Sequence, residues 1–249
     1  MKIIQSMAIS IVAIGMVSVR AYPVGLKLEY STYLGGSSYD GNDLAGIGGI
    51  AIDSNLCAYV TGVTGSSDFP ISNPYQSSVA AALDIFISKL SSSGSSLIYS
   101  TYYGGGSYDW SFGIALDSDQ CAYVSGDTGS NDFPIYSAYQ SSYAGAGDAF
   151  LFKLSSSGSD IVFSTYFGGS YEDYSWDIAL GPGNIIGIVG DTSSRDFPTY
   201  NAYQASYWAQ GDAFVSCFAS SGSSLEYSTY LGGEYTDYGL GVTIDTDAC

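Results

Sequence analysis

An internal repeat of about 64 residues constrains the fold of this chain more than any other feature of its sequence. The tripeptide Asp-Phe-Pro begins at Asp68, Asp132 and Asp196, which are 64 residues apart. The dipeptide Tyr-Gln recurs at the same spacing and begins at Tyr75, Tyr139 and Tyr203. A third landmark, Ser-Thr-Tyr followed by Gly-Gly, occupies residues 31–36, 100–105, 164–169 and 228–233. These landmarks predict a fold built from copies of one supersecondary unit.

Each unit reads as four short strands. In the second copy the strands are residues 113–117, 121–128, 148–154 and 160–167. A tight turn joins the first two strands, and Gly158 supplies a positive φ in the turn between the last two. The long connection between the second and third strands holds Asp-Phe-Pro and Tyr-Gln. Four antiparallel strands at a constant period are typical of a β-propeller blade, whereas a β-sandwich of unrelated strands needs no such period.

The composition supports an all-β fold and excludes several kinds of activity. The chain has 24 Tyr, 32 Gly and no His, and aromatic and turn-forming residues favour strands joined by tight turns. Without His, Ser-His-Asp and Cys-His catalytic mechanisms are impossible. The net charge of -18 argues against nucleic acid and anionic lipid as partners, because both require a basic surface.

The repeated motifs resemble those of a bacterial and archaeal extracellular β-propeller repeat family. The similar stretches are Tyr-Ser-Thr-Tyr-Leu-Gly-Gly, Asp-Phe-Pro, Ala-Tyr-Gln and Asp-Ala-Phe, and the resemblance covers nearly everything from about residue 26 onwards. The family has Gly-Asn before the second strand, where this chain has Leu56-Cys57 and Gln120-Cys121. The resemblance implies a secreted or cell-surface protein and implies no enzymatic activity.

We predict a single β-propeller domain over residues 1–249, with four blades of about 64 residues each. The three complete blades are predicted at residues 36–104, 105–168 and 169–232. The fourth blade is shared by the two ends of the chain, because an open sheet edge invites pairing. It comprises residues 16–35 together with residues 239–249.

The first 21 residues have two interpretations that stay open. Their apolar side chains can close the fourth blade or insert into the blade of a neighbouring molecule. These side chains are Ile9, Ile11, Ile14, Met16, Val17 and Val19. Alternatively, residues 1–21 form a secretory signal peptide with cleavage after Ala21. Gln5 and Ser6 make the segment too polar for a membrane span.

The four cysteines do not suggest two disulfides. Cys57, Cys121 and Cys249 hold the same position in three blades, which places them beyond the roughly 7 Å Cα separation that a disulfide tolerates. Cys217 stands where the other copies have Lys89 and Lys153. Buried free thiols are the first interpretation, and bridges between subunits are the second.

The long connections between strands are predicted to emerge on one face, which we call the loop face, where function usually concentrates. Aromatic and acidic residues gather in these connections. They are Tyr39, Tyr108, Asp109, Trp110, Tyr143, Tyr171, Glu172, Asp173, Tyr207, Trp208, Tyr235 and Asp237. Such residues suit sugar recognition through stacking and hydrogen bonds, packing between subunits, or the closing of the loops themselves.

Acidic residues that recur in every blade are interpreted as turn formers or caps. They are Asp68, Asp132 and Asp196 before Phe-Pro, and Asp84, Asp148 and Asp212 at the start of the third strand. The stretches that begin at Asp53 and Asp117 look like fragments of a calcium loop but lack its remaining ligands. We therefore expect no cofactor, with Ca²⁺ as the alternative. Glu172 and Asp173 are the least symmetric acids, but adjacent residues do not face one another across a glycoside substrate.

These observations favour a non-enzymatic, extracellular structural propeller whose partner is a further copy of itself, in a filament or surface layer. A carbohydrate-binding or adhesive propeller that recognises glycans is the second hypothesis. A carboxylate-dependent glycoside hydrolase is the third.

Overall fold

The computed structural model describes residues 28–41, 48–208 and 210–246. This part of the chain forms three four-stranded antiparallel sheets, and its only helical segment is the 3-10 turn Pro182–Asn184. Sheet I contains β1 (Ile50–Ile52), β2 (Ala58–Thr64), β3 (Asp84–Leu90) and β4 (Leu97–Tyr103). Sheet II contains β5 (Asp109–Leu116), β6 (Ala122–Thr128), β7 (Asp148–Leu154) and β8 (Ile161–Phe167). Sheet III contains β9 (Asp173–Leu180), β10 (Ile186–Thr192), β11 (Asp212–Phe218) and β12 (Leu225–Leu231). Within the described residues, no helix is long and apolar enough to cross a membrane.

The sequence predicted the four strands of each unit in their observed order, but it placed the start of the first strand wrongly. Strand β5 begins at Asp109, four residues before the predicted start at Gly113. A register shift between Ser111 and Gly113 interrupts its pairing with β6. Because a bulge adds one unpaired residue, it breaks the period-two alternation from which a strand is recognised.

Successive sheets pack against each other through side chains of several strands. The hydroxyl of Thr61 on β2 donates to the Ser111 hydroxyl on β5 over 2.7 Å, so the first strand of sheet II lies against sheet I. The ring of Tyr103 on β4 lies 4.2 Å from that of Phe152 on β7. The ring of Phe167 on β8 lies 4.9 Å from that of Phe218 on β11. Aromatic side chains therefore fill both junctions between the sheets.

The long connection of each unit covers the outer edge of its own sheet. In sheet I, Ser72 and Gln76 each form an antiparallel bridge with β4, and the equivalent residues do so in the other two sheets. The hydroxyl of Tyr102 donates to the Ser66 carbonyl oxygen over 2.7 Å and accepts from the Phe69 amide over 3.2 Å. The covered edge cannot offer its backbone groups to another chain.

The Gln of the Tyr-Gln landmark connects two further repeated residues. The Gln76 side-chain amide donates to the Asp84 carboxylate over 3.0 Å, and its oxygen accepts from the Gly104 amide over 3.1 Å. Gln140 and Gln204 make the same pair of contacts in their sheets. The three landmarks of the repeat thus belong to one hydrogen-bond network in each unit.

Two further segments continue the pattern at the ends of the described chain. We call residues 28–34 the N-terminal segment and residues 237–244 the C-terminal segment. Tyr30 packs on Gly94 in sheet I as Tyr99 packs on Gly158 in sheet II, and Leu34 packs against the core of sheet I. At the other end, the Val242 amide donates to the Asp177 carboxylate on β9 over 2.9 Å. In the repeat, Tyr30 is equivalent to Tyr99 of β4, and Val242 is equivalent to Ile178 of β9.

The predictions for residues 1–21 lie outside the described residues. They include the strand-forming side chains Ile9, Ile11, Ile14, Met16, Val17 and Val19, and the signal-peptide alternative. The interpretation of Cys249 lies outside them as well.

Candidate functional site

Four of the predicted loop-face residues lie together at the junction between sheets II and III: Tyr108, Trp110, Tyr143 and Glu172. The rings of Tyr108 and Trp110 lie 5.3 Å apart, and both side chains are half-buried. Burial raises the pKa of Tyr108, and the nearby carboxylates of Asp127 and Glu172 raise it further. Burial and the neighbouring Tyr108 likewise raise the pKa of Tyr143, to about 12. The structure therefore brings Tyr108, Trp110, Tyr143 and Glu172 together.

Asp109 and Asp173 are not loop residues, which corrects the prediction for both. Each is the first residue of a strand, β5 and β9 respectively, and each is fully buried. The Asp109 carboxylate accepts from the Gly105 amide over 2.8 Å, from the Thr128 hydroxyl, and from the Ser130 hydroxyl over 3.0 Å. Burial raises the pKa of both acids to about 7. Their carboxyl groups therefore accept hydrogen bonds that connect the first strand to the second strand of the same sheet.

A second group of predicted residues lies beside the C-terminal segment. The ring of Tyr207 packs 6.0 Å from that of Tyr230, and Arg195 lies 5.9 Å from the Tyr207 ring. Trp208 and Tyr235 are exposed, whereas Asp237 is half-buried and accepts from the Gly233 amide over 2.7 Å. Elsewhere on the face, Tyr171 is exposed and Tyr39 is half-buried. The predicted residues therefore belong to separate junctions.

Sequence reasoning missed two acids on the second strands of sheets II and III. Asp127 is fully buried, and neither of its carboxyl oxygens has a hydrogen-bond partner within the described chain. Burial raises its pKa well above the ordinary value, and Asp109 and Asp191 raise it further. Asp191 accepts a hydrogen bond from Trp176 Nε1, whereas Phe112 holds the equivalent position in sheet II and has no donor. The sequence feature that could have identified these two acids is a charged residue within an otherwise buried strand.

The repeated acids accept hydrogen bonds from backbone amides, in some cases within their own turn and in others from a distant connection. Asp132 and Asp196 accept from the Gly106 and Ser170 amides, at 2.7 and 2.9 Å. Asp117 accepts from the Asp119 and Cys121 amides in its tight turn. It also forms an ion pair of 2.9 Å with Lys153, and the equivalent Asp53 pairs with Lys89 at 3.3 Å.

The thiols and the acidic side chains decide which other chemistry the described residues can support. Cys57, Cys121 and Cys217 are free thiols, and Cys57 and Cys217 are buried. Of the residues in the described ranges, no three His, Cys, Asp or Glu are grouped so as to hold a metal ion. Glu172 is exposed while Asp173 is buried, so these adjacent acids do not present two carboxylates to one substrate.

Comparison with known proteins agrees with the repeat found in the sequence. A family model described as a beta-propeller repeat matches residues 98–134. The match runs from β4 through β5 and β6 to the Asp-Phe-Pro landmark, and so covers parts of two successive sheets. No curated protein is significantly similar to the chain. The prediction of a β-propeller repeat is thereby confirmed.

Proposed function

We propose that this chain, which carries a β-propeller repeat, is a non-enzymatic structural protein outside the cell. In this proposal it forms a propeller of four blades and assembles with further copies of itself into a filament or surface layer. The observation that carries the proposal is the packing of the N-terminal segment on sheet I and of the C-terminal segment on sheet III. In the proposed fourth blade, the places of the second and third strands are called the gap. In this proposal the N-terminal segment supplies the last strand of the fourth blade and the C-terminal segment supplies its first strand. A complete blade needs two more strands between them.

The apolar side chains beside this gap support a missing partner. Leu231 at the end of β12 is 51 % exposed, whereas Phe167 in the equivalent place on β8 is 0 % exposed. Tyr203 is 89 % exposed, whereas Tyr139 is 38 % exposed because it packs against Phe218 of the next sheet. Exposed apolar surface of this kind marks an interaction site.

We assign residues 1–21 of a neighbouring copy as the occupant of the gap. This segment contains Lys2 and Arg20 and no acidic residue, while the whole chain has a net charge of -18. Its charge is therefore opposite to the net charge of the chain it would bind. Its apolar side chains would cover the exposed residues, and main-chain hydrogen bonds would supply affinity. An exchange that repeats from copy to copy propagates into a filament.

The network of repeated residues supports a structural role over a catalytic one. The side chains of Tyr102, Gln76 and Asp109, with their equivalents, are committed to hydrogen bonds within the fold. The absence of His from the sequence removes the commonest general base.

Electron microscopy and sedimentation of the full-length chain test the proposal. We expect polymers whose formation depends on concentration, and we expect deletion of residues 1–21 to abolish them. Added peptide 1–21 should bind the deleted chain one to one and cap it. Dispersed rings from the full-length chain at all concentrations would show insertion within one molecule and contradict the exchange. An intact mass that lacks residues 1–21 would identify a signal peptide and remove the assigned occupant.

A carbohydrate-binding propeller is the second candidate, favoured by the aromatic and acidic group at the junction of sheets II and III. Tyr108 and Trp110 offer ring faces, and Glu172 offers a hydrogen-bond acceptor. A glycan array with dispersed protein tests this hypothesis. Alanine at Tyr108 or Trp110, and at Tyr207 or Trp208 in the second group, should reduce binding at least tenfold. Tyr136→Ala, on the exposed outer edge, is the matched control and should bind as the wild type does.

A further inference from the structure

Two hydroxyl groups meet at the junction between sheets I and II, and their equivalents at the next junction do not. The Thr61 hydroxyl donates to the Ser111 hydroxyl over 2.7 Å, and the Ser111 hydroxyl donates to the Gly62 carbonyl oxygen over 3.2 Å. At the junction between sheets II and III, the equivalent residues are Ser125 and Ser175. Both are fully buried, and neither hydroxyl has a hydrogen-bond partner within the described residues. The same pair of positions is therefore satisfied at one junction and unsatisfied at the other.

Asp127 adds a carboxylate to the second junction. Side chains two residues apart on a strand point to the same face of the sheet, so Asp127 shares the face of Ser125 on β6. It is fully buried, and the described part of the chain offers neither of its oxygens a partner. The equivalent residue in sheet I is Val63, which has no polar group to satisfy. Because buried polar atoms without a partner cost free energy, the carboxylate and the two hydroxyls call for a ligand.

The hydroxyl of Ser125 lies where sheet II meets the first strand of sheet III. A Cβ built on Gly113 would lie 3.0 Å from Ser125 Oγ and 2.9 Å from the Ile178 amide nitrogen on β9. Ser125 also lacks the γ-methyl group of Thr61, so its side chain fills less of the junction. The polar groups and the smaller side chain thus occur at the same place.

The charge near these groups is negative. Burial raises the pKa of Asp127 well above its ordinary value, and the carboxylates of Asp109 and Asp191 raise it further. The three basic side chains of the described residues are engaged elsewhere. They are Lys89 with Asp53, Lys153 with Asp117, and Arg195 beside Tyr207. A ligand that offsets this charge is therefore a cation.

We propose that the junction between sheets II and III binds an alkali-metal cation, held by the Asp127 carboxylate and the hydroxyl groups of Ser125 and Ser175. Hard cations prefer oxygen ligands of this kind. The single carboxylate carries one negative charge, which a monovalent cation neutralises. A divalent cation usually requires several acidic ligands, and no three acids of the described chain are grouped to hold one. The cation links β6 to β9 as the hydrogen bond of Thr61 links β2 to β5.

The equivalent acid in sheet III explains why the site belongs to one junction. Asp191 accepts a hydrogen bond from Trp176 Nε1. In sheet II, Phe112 replaces this Trp and has no N–H group to donate. Asp191 therefore has a donor from its own sheet, whereas Asp127 depends on a cation.

Thermal unfolding of the full-length chain in chloride salts of Na⁺, K⁺ and choline tests the inference, at one ionic strength and at concentrations too low for assembly. Choline screens surface charge but is too large for a closed junction. We expect an alkali-metal cation at ten times its dissociation constant to raise the unfolding midpoint by about 3–6 °C relative to choline.

Two variants copy the residues of the first junction and should fold without the cation. Asp127→Val removes the carboxylate, and Ser125→Thr restores the methyl group and the direct hydrogen bond. Each should unfold at the same midpoint in all three salts. Asp132→Asn removes an exposed acid and is the matched control, which should keep the wild-type rise. Equal wild-type midpoints in the three salts, or a rise that persists in Asp127→Val, overturn the inference.

A crystal of the wild-type protein soaked in Tl⁺ gives a second measure that needs no variant. An anomalous peak within coordination distance of the Asp127 carboxylate and the Ser125 hydroxyl supports the inference. An ordered water molecule at that place, or a protonated Asp127 that donates to a serine hydroxyl, overturns it.

Discussion

The last strands of sheets II and III have nearly the same sequence and the same backbone pairing, but different surroundings. Strand β8 ends in Ser-Thr-Tyr-Phe and β12 in Ser-Thr-Tyr-Leu. Sheet III covers Phe167, whereas Leu231 is exposed. Tyr166 and Tyr230 are buried in both, because each is anchored within its own unit. The comparison separates what a unit stabilises by itself from what its neighbour adds, as in other repeat proteins.

The largest expected effect is that of pH on the free energy of unfolding. It arises from two acids that are buried at the junctions between the described sheets. Burial raises the pKa of Asp109 and Asp173 from 3.8 to about 7. The folded state therefore holds these protons more tightly than the unfolded state, so their stabilising contribution is complete below about pH 4 and is lost as pH rises through about 7. Two shifts of about 3 pKa units, at about 1.4 kcal/mol per unit, give an expected loss on the order of 8 kcal/mol from the two acids together.

Thermal unfolding between pH 3 and pH 8 measures this effect. Asp109→Asn should flatten the profile, because the amide cannot ionise. Asp132→Asn, an exposed acid, should leave the profile as it is. A wild-type transition temperature that rises between pH 4 and pH 7 would contradict the prediction.

The next effect compares Phe167 and Leu231 directly. Phe167→Ala removes a fully buried ring at the junction with sheet III, and we expect a loss of about 4 kcal/mol in the free energy of unfolding. Leu231→Ala should cost less than about 1 kcal/mol at concentrations too low for assembly. Urea unfolding at two protein concentrations measures both. If the gap is filled by a neighbouring copy, the cost of Leu231→Ala should rise with concentration while that of Phe167→Ala stays constant.

A smaller effect concerns the buried ion pairs at the tight turns. Lys153→Ala leaves the buried Asp117 carboxylate without its cation, and we expect a loss of about 3 kcal/mol at pH 7. Cys217→Ala, at the equivalent place in sheet III, removes only a buried thiol and should cost about 1 kcal/mol. Equal losses in chemical denaturation would show that the ion pair contributes no more than packing does.

The smallest effect compares two turn glycines with similar backbone. Gly158 and Gly183 have φ values of 78° and 71°. A Cβ at Gly158 would collide with the Tyr99 ring of sheet I, whereas a Cβ at Gly183 meets nothing within 4 Å. We expect Gly158→Ala to cost about 2–3 kcal/mol and Gly183→Ala about 1 kcal/mol. A similar loss for both in thermal unfolding would mean that the contact across the junction is loose.

Much of the fold could be predicted from the sequence, because the repeat imposes one pattern on all three sheets. The turn at Gly158 and the strands around it could be predicted from the 64-residue period of the repeat and from the turn preference of glycine. The start of β5 could not be predicted in this way, because Asp109 and Trp110 read as a polar loop before the bulge. Their burial depends on the neighbouring sheet and not on local sequence.

The candidate site was less predictable than the fold, for a similar reason. The sequence identified Tyr108, Trp110 and Glu172 as members of one face. It could not show at which junction between sheets each of the predicted residues lies. Asp127 was missed because its burial comes from the packing of sheet III, while Val63 holds its place in sheet I. The predictions for residues 1–21 stay predictions.

The hydrogen bond between Asp177 and Val242 has a consequence for the order of the units along the chain. At Gly49 and Gly113, the equivalent positions in the first two units, the following strand approaches so closely that a Cβ would lie within 3 Å of an amide nitrogen. Of the three described sheets, only sheet III therefore has space for a carboxylate at this position. The three units therefore cannot be exchanged along the chain. Exchange would place the Asp177 carboxylate at a position where the next strand leaves room only for glycine.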